Sequence, residues 1–293
     1  MSIIQEFLTT LPKVKFGFMY GSSYLLAPSG KDSTAQIDLI LSVDNTYDWH
    51  KANLKLNPSH YSGRIRLLGT DYLVNSSHQS VGIHYNPFVH FQNLTFKYGV
   101  IHHDHLKDDL QEWNTFYVAG RMQKPVKIIQ ECEDIKELME NNYKMAAITA
   151  SLMLPSLVHE TDLYMAICKL SYYGDRRLED PKKVRNLVFG NLEKFKEAYR
   201  PIVNGLTGLK VDNEFIERSP FFYDNVKCLP GILKDFKKGF EDMNLSERTQ
   251  AIEDVLTRNN SKFSTKQIVH TLKTGDFWQI FKYSLAKLRK AFK

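Results

Sequence analysis

The first hundred residues alternate between short apolar runs and polar breaks, in lengths that suit strands rather than helices. Val14, Phe16, Phe18 and Met19 form one run, which stops at Tyr20-Gly21-Ser22-Ser23. A polar loop from Pro28 to Gln36 leads to a second run, Ile37 to Val43, with Asp38 near its start and Asp44 just past its end. The pattern predicts a strand, a Gly-Ser turn and a second, acid-bearing strand. Residues 1–12 predict a short helix ended by Pro12, and 48–54 another with Thr46 as its cap. Alternation over 81–101 predicts paired strands turning at Asn86-Pro87. From His105 the period becomes helical: Leu106, Leu110 and Trp113 share a face, and the helix runs into Tyr117–Arg121. Gln123–Ile129 breaks it and leads to a further strand or linker.

Beyond residue 130 the spacing predicts helices over 134–153, 160–169, 181–189 and 192–200, with a polar loop, Leu170 to Arg177, between the second and third. Apolar stretches near Leu209 and Phe215 predict a small hairpin. The whole reads as α+β: a mixed-sheet domain over 1–130, a mostly helical, winged-helix-like domain over 131–260, and a tail over 261–293.

The tail has its own pattern. At about 100° per residue, Phe277, Trp278, Ile280, Phe281, Ser284, Leu285, Leu288 and Phe292 fall on one side of a helix. Lys282, Arg289, Lys290 and Lys293 fall opposite, with Lys287 at the margin. A Trp-bearing apolar face against a basic one describes a helix lying in the plane of an anionic membrane surface. A C-terminal helix packed on the protein's own core is the alternative.

Charge sharpens this picture. The chain carries +6 over 293 residues. Lys262–Lys293 holds eight Lys or Arg against one acid, Asp276, so it carries +7 and the other 261 residues sum to −1. A near-neutral body with a basic tail argues against nucleic acid as the partner. No run approaches the roughly 20 apolar residues of a membrane span; the longest, Met145 to Val158, is broken by Pro155. Cys132, Cys168 and Cys228 are scattered and odd in number, which points to a reducing compartment without a disulfide framework. The N-terminus reads as neither a secretory signal nor an Arg/Ser-rich transit leader. His102, His103 and His105 suggest a metal cluster, but no second Cys/His group at ligand spacing accompanies them, and a polar loop or helix start accounts for them better.

The Gly-Ser turn is where chemistry enters. Glycine lets the backbone approach a triphosphate, and serine with nearby N–H groups binds its oxygens. A strand carboxylate then holds Mg²⁺ against those phosphates. An ordinary hairpin with one polar residue gives the same local pattern, so the signal needs company.

That company comes from Tyr20-Gly21-Ser22, Ile37-Asp38, Val43-Asp44, Trp49-His50, Asn53-Leu54, Asn57 and Ser59-His60-Tyr61-Ser62. It continues with Lys97-Tyr98-Gly99-Val100-Ile101, Trp113-Asn114, Ala119-Gly120-Arg121, Gln123-Lys124-Pro125-Val126-Lys127, and Gly174-Asp175 with Arg177. In this order and spacing the chain resembles the mitochondrial-type phosphatidate cytidylyltransferases, also called CDP-diacylglycerol synthases or translocator assembly and maintenance proteins. The resemblance runs from about residue 15 to 178 and more faintly beyond. It implies a nucleotidyltransferase domain beside a winged-helix-like domain, with CTP between them and a membrane-associating C-terminal helix. The implied reaction joins CTP to phosphatidic acid with Mg²⁺ and supplies CDP-diacylglycerol for phosphatidylglycerol and cardiolipin synthesis. The implied place is a membrane periphery, on the mitochondrial matrix face or a bacterial cytoplasmic face.

On this reading Asp38 is the catalytic metal ligand. Gly21, Ser22, Ser23, His60, Tyr61, Lys97, Arg121, Lys124, Lys127 and Arg177 bind substrate. Phe277, Trp278, Phe281, Lys282, Leu285, Leu288, Arg289 and Lys290 meet the membrane. There are departures. Ser23 replaces a usual glycine, and Asn45 a common second aspartate. Superfamily strands also carry acids at alternate positions, whereas Ile40 stands two beyond Asp38. Asp44 has the right parity but lies nearly 20 Å along a straight strand. Either the strand bends to bring Asp44 in as a second ligand, or the second acid is Asp175. Two competing functions remain: a nucleotidyltransferase on a soluble or RNA acceptor, and a non-catalytic scaffold for assembling a membrane translocase.

Overall fold

Phe16 and Phe18 on one side of the first strand, and Met19 on the other, hold that strand between two apolar layers. The computed structural model describes residues 2–21, 36–174, 181–236 and 239–276. The first half runs α1 (Ile3–Thr9), β1 (Phe16–Tyr20), β2 (Ile37–Val43), α2 (Thr46–Leu56), α3 (Gly63–His78), β3 (Ile83–Phe91), β4 (Leu94–His102), α4 (His103–Glu112), α5 (Ala119–Met122) and β5 (Lys127–Gln130). Its sheet has the order β3-β4-β2-β1-β5. β2 and β4 are parallel, and the other neighbours are antiparallel, so the sheet is mixed as expected. Strand side chains alternate between faces. Phe16, Phe18 and Ile40 enter the larger core, while Leu39, Leu41, Val43, Phe96, Tyr98 and Val100 pack with Phe7 and Trp49 on the other side. Each such fully buried side chain contributes about 1.5–3 kcal/mol.

Local details depart from the sequence expectations for identifiable reasons. Asn45, not Thr46, caps α2, its side chain accepting from the Tyr47 and Asp48 N–H groups. Asn86-Pro87 is a bulge within β3 rather than the turn, since proline removes a ladder donor but leaves room for a register shift. The hairpin turns instead between Phe91 and Leu94, with Gln92 at φ 52. α4 stops at Trp113, which adopts φ 55 and ends the predicted long helix early.

The second half contains α6 (Glu133–Leu152), β6 (Leu157–His159), α7 (Glu160–Leu170), α8 (Pro181–Phe189), α9 (Leu192–Asn204), β7 (Leu209–Asp212), β8 (Phe215–Arg218) and α10 (Leu245–Thr274). β6, β8 and β7 form a three-stranded sheet in that order, and the hairpin lies where the sequence predicts it. This helix–strand–helices–hairpin succession is the region the sequence reads as winged-helix-like. It is not a separate body: Phe16, Phe18 and Ile40 share one continuous core with Tyr164, Phe195, Tyr199 and Leu256. A boundary near residue 130 therefore divides topology and not packing.

α10 corrects the expected start of the tail. A capping box between Asn244 and Glu247 opens it, and it continues through residue 261 without a break. Its last turns dock on the first half. Gln267, His270 and Thr274 are buried there, His270 Nδ1 lies 2.8 Å from Ser76 Oγ, and Ser62 Oγ donates to the Thr274 carbonyl at 2.5 Å. Lys262–Thr274 thus belongs to the body, and Phe277 to Lys293 lie outside the described residues. No helix among the described residues is long and apolar enough to cross a membrane.

Candidate active site

Three neighbouring strands bring Tyr20, Asp38 and Lys97 into one row. Tyr20 pairs with Asp38 across β1–β2, and Asp38 with Lys97 across β2–β4. All three side chains leave the sheet on the face of the larger core, at the end where β1 stops. There Gly21 turns the chain at φ +85, a conformation that favours glycine. A Cβ at Gly21 would stand 3.5 Å from Asp38 Oδ2, in ordinary contact with the carboxylate.

Lys97 Nζ lies 3.9 Å from Asp38 Oδ1 and 4.5 Å from the centre of the Tyr85 ring. Tyr85 lies against Gly99, where any Cβ would collide with its ring at 2.5 Å. The Tyr20 and Tyr85 hydroxyls approach to 3.5 Å. Burial pushes both phenols above their ordinary value, so they remain neutral donors. Arg121 completes the group: its guanidinium stands 3.8 Å from the Tyr117 ring and 5.5 Å from Tyr20's, and donates to the Tyr117 carbonyl.

Arg121 is held by a loop that one carboxylate organises. Asp109 is buried, and its Oδ1 accepts from Thr115 N, Thr115 Oγ1 and Phe116 N at 2.7–2.8 Å. Its Oδ2 accepts from Val118 N at 2.8 Å and Ala119 N at 3.0 Å, the start of α5. Lys124, just after α5, is also buried and donates to the Gly120 carbonyl at 2.7 Å and Ser171 Oγ at 2.6 Å. This contact depends on Gly120, where a Cβ would come within 2.5 Å of Ser171 Cβ. Lys124 and Lys183 flank the Tyr172 ring at 4.9 and 5.1 Å. Lys124 therefore sits where the Leu170–Arg177 loop begins. Ser22, Ser23, Asp175 and Arg177 lie outside the described residues.

Other sequence-predicted residues are not brought to this row. β2 keeps an unbroken register with both neighbours, so it does not bend to carry Asp44 toward Asp38. Asp44 is exposed at the far end and accepts from Lys15 Nζ at 2.9 Å, which holds its carboxyl below the usual range. A single ion at Asp38 thus excludes Asp44. His60 and Tyr61 lie across the sheet, in a polar network on the other face. His60 Nδ1 lies 2.8 Å from Tyr98 Oη, and the buried Tyr61 hydroxyl accepts from Asn53 Nδ2 at 2.9 Å. Burial lowers His60 to about 4, so it is neutral there and carries no charge for a phosphate. Lys127 is exposed on the edge strand β5, paired with Met19 and thus on the face opposite Phe18's. Sequence reasoning missed Tyr85, whose only early sign was alternation within an apolar stretch, Tyr117, read as the continuation of a helix, and Asp109, one of several acids on a predicted helix.

A hard oxygen donor beside a glycine in the left-handed region, with cations around it, fits a divalent ion shared with phosphates. Such ions keep one or two protein carboxylates and take the rest from water and substrate. Asp38 is the carboxylate of this row.

Comparison with known proteins identifies the family. A family model described as "Phosphatidate cytidylyltransferase, mitochondrial" matches residues 4–226. The Dictyostelium discoideum protein of that name is 38% identical over 226 residues, 69% of this chain and 53% of the relative. The Homo sapiens protein is 38% identical over 208 residues, covering 68% and 46%. The Saccharomyces cerevisiae protein is 36% identical over 198 residues, covering 64% and 51%. The chain spans about half the length of these curated relatives. With the family model matched over most of its length, the chain belongs to the mitochondrial phosphatidate cytidylyltransferase family.

Proposed function

We propose that this chain transfers the cytidylyl group of CTP to phosphatidic acid, giving CDP-diacylglycerol and pyrophosphate. The observation that carries the reading is the Tyr20–Asp38–Lys97 row at the Gly21 turn, with Arg121 beside it, in a chain of this family. A phosphate oxygen of phosphatidic acid attacks the α-phosphorus of CTP. The bond from that phosphorus to the bridging oxygen breaks, and its electron pair leaves with pyrophosphate. The nucleophile is already anionic, so no base is required. The work is positioning and charge compensation.

The chain's own groups divide this work. Gly21 lets the backbone close on the triphosphate. Arg121, whose charge persists at any working pH, and Lys97 offset the charge that grows on pyrophosphate. Tyr20 and Tyr85, kept as phenols by burial, donate hydrogen bonds without adding negative charge. Lys124 holds the start of the Leu170–Arg177 loop, which offers Asp175 as a second acid and Arg177 as a further cation. Asp38 would hold Mg²⁺, which when bound neutralises phosphate oxygens. The basic tail supports peripheral attachment to an anionic membrane, where the diacyl substrate resides. In keeping with the mitochondrial names of the relatives, we place that membrane on the matrix side.

The test is turnover of CTP with Mg²⁺ and vesicles containing phosphatidic acid. Phosphatidate-dependent release of pyrophosphate, with CDP-diacylglycerol as co-product, is the expected result. No product from the intact chain, or full activity in Asp38→Ala, overturns the proposal.

A further inference from the structure

At the other end of β2 from Asp38, a second group of side chains closes on itself. Ser42, fully buried in β2, places its Oγ 2.7 Å from His103 Nδ1. His103 opens α4 and is itself 3% exposed. Its Nε2 lies 2.9 Å from Asp134 Oδ2, while Cys132 Sγ donates to Asp134 Oδ1 at 2.9 Å. Cys132 and Asp134 come from the junction of β5 and α6, where Cys132 stands at the helix N-cap without capping it. One ligand atom from each of His103, Cys132 and Asp134 lies within 4.8 Å of the others.

We infer that His103, Cys132 and Asp134 form a second cation site, selective for a borderline-soft divalent ion of the zinc type. The donor set is one imidazole nitrogen, one thiolate sulfur and one carboxylate oxygen. Zinc binds all three at about 2.0–2.3 Å in tetrahedral geometry, with a fourth position left to water. Magnesium is excluded, because it takes hard oxygen donors and does not compete for a thiolate. Ser42 supplies the outer shell such sites use. With Nδ1–H donating to Ser42 Oγ, the imidazole presents its Nε2 lone pair to the ion. The ion would take the place of the Cys132 thiol proton now donated to Asp134, leaving a thiolate, and that proton passes to solvent, while His103 binds as the neutral Nδ1–H tautomer.

Lys107 Nζ, 3.6 Å from Asp134 Oδ2, opposes a dication. It is a partly exposed side chain on a flexible stem, however, and water accommodates its ammonium when it swings away. Asp44, within electrostatic reach of His103, is paired with Lys15, whose ammonium also reaches Asp134 and Cys132, so that pair adds no net charge to the site. A metal here would tie the β4–α4 junction to the start of α6, joining the sheet to the first helix of the second half. It lies about 13 Å along β2 from Asp38, so it does not draw on the proposed active site.

The experiment uses the reduced, chelator-stripped full chain titrated with Co²⁺ and then Zn²⁺. One Co²⁺ per chain should bind with a thiolate-to-cobalt charge-transfer band and tetrahedral d–d bands. Zn²⁺ should displace it, and excess Mg²⁺ should not. Cys132→Ser should abolish the band, and Cys228→Ser should leave it intact. Asp134→Asn should weaken binding at least about tenfold, the lower range for outer-shell changes and so a floor for a ligand. Cys132 and Asp134 are partly or fully exposed, so both variants should keep the native circular dichroism, whereas buried His103 is less safe to change. Absence of a thiolate band, or its survival in Cys132→Ser, overturns the site.

Discussion

Asp38 and Lys97 occupy one register position on parallel strands, with Nζ 3.9 Å from Oδ1 and the ammonium also over the Tyr85 ring. That separation is ionic and longer than a good hydrogen bond. Asp38→Ala should lower cytidylyl transfer at least about a hundredfold, the scale of several kcal/mol of lost charge stabilisation. The fold should persist, because the Asp38 side chain is not part of the apolar core and is 29% exposed. Turnover and thermal midpoint, measured on one preparation, separate the two effects.

Asp109 touches no proposed substrate atom, yet five donors converge on it just before Arg121. Asp109→Asn puts an NH₂ where backbone N–H groups now donate. One or more of those buried groups then loses its acceptor, at about 1–3 kcal/mol. A lower melting midpoint should accompany a weaker affinity for CTP as Arg121 drifts. Equal stability and affinity in the variant would mean that the loop holds itself.

What the sequence made legible follows from the range of each signal. Strand alternation and helical period are local, and they located β1, β2, the hairpin and α6 to α9 within a few residues. The Asp38–Gly21 relation was legible because the two strands are consecutive and pair antiparallel. Tyr85 and Tyr117 were not, since only the pairing of β3 with β4 and the Asp109-held loop bring them near. Asp44 failed for the opposite reason: its parity was right, but a straight β2 carries it to Lys15. The His103–Cys132–Asp134 group joins residues about thirty positions apart, beyond any spacing rule.

Lys124 tests whether a buried ammonium serves the nucleotide or only the joint. Lys124→Met keeps the length of the side chain and removes the bonds to Gly120 and Ser171. The Gly120 carbonyl and Ser171 hydroxyl are left short of a donor, at about 1–3 kcal/mol for each buried group. The melting midpoint should therefore fall, and the Kd for CTP should rise about tenfold where the ammonium also serves the nucleotide, one lost charge-assisted bond. Lys124→Glu should weaken binding further. An unchanged Kd by calorimetry assigns Lys124 to the joint alone.

Acid should loosen the docking of α10. Burial lowers His50 to about 3 and His270 to about 4, against about 6.5 in an unfolded chain. His84, between them, is lowered as well. The unfolded state thus binds more protons below pH 6.5. The stability is fully present above that pH and is lost as pH falls toward the folded values, at about 1.4 kcal/mol per unit for each of His50 and His270. The melting midpoint should drop between pH 7 and 5, and less steeply in His270→Gln. A midpoint that rises on acidification contradicts the assignment.

At the C-terminal end, the proposed membrane segment adjoins a residue that the fold itself uses. Asp276 accepts from the Gly63 and Arg64 N–H groups at 2.7 and 3.1 Å, at the start of α3. A carboxylate there satisfies free amide donors and complements the helix dipole. Deleting 277–293 keeps this contact and removes the basic, Trp-bearing segment. That chain should fold and bind CTP normally, but lose sedimentation with anionic vesicles and activity on membrane-embedded phosphatidic acid. Deleting 276–293, or making Asp276→Ala in the intact chain, should instead cost about 0.5–2 kcal/mol, the usual loss for a cap. Neutralising Lys282, Arg289, Lys290 and Lys293 together should weaken vesicle binding most at low salt, where surface charge is least screened. If the 277–293 deletion itself melts early or loses CTP without lipid, the segment belongs to the core, and membrane attachment must be sought elsewhere.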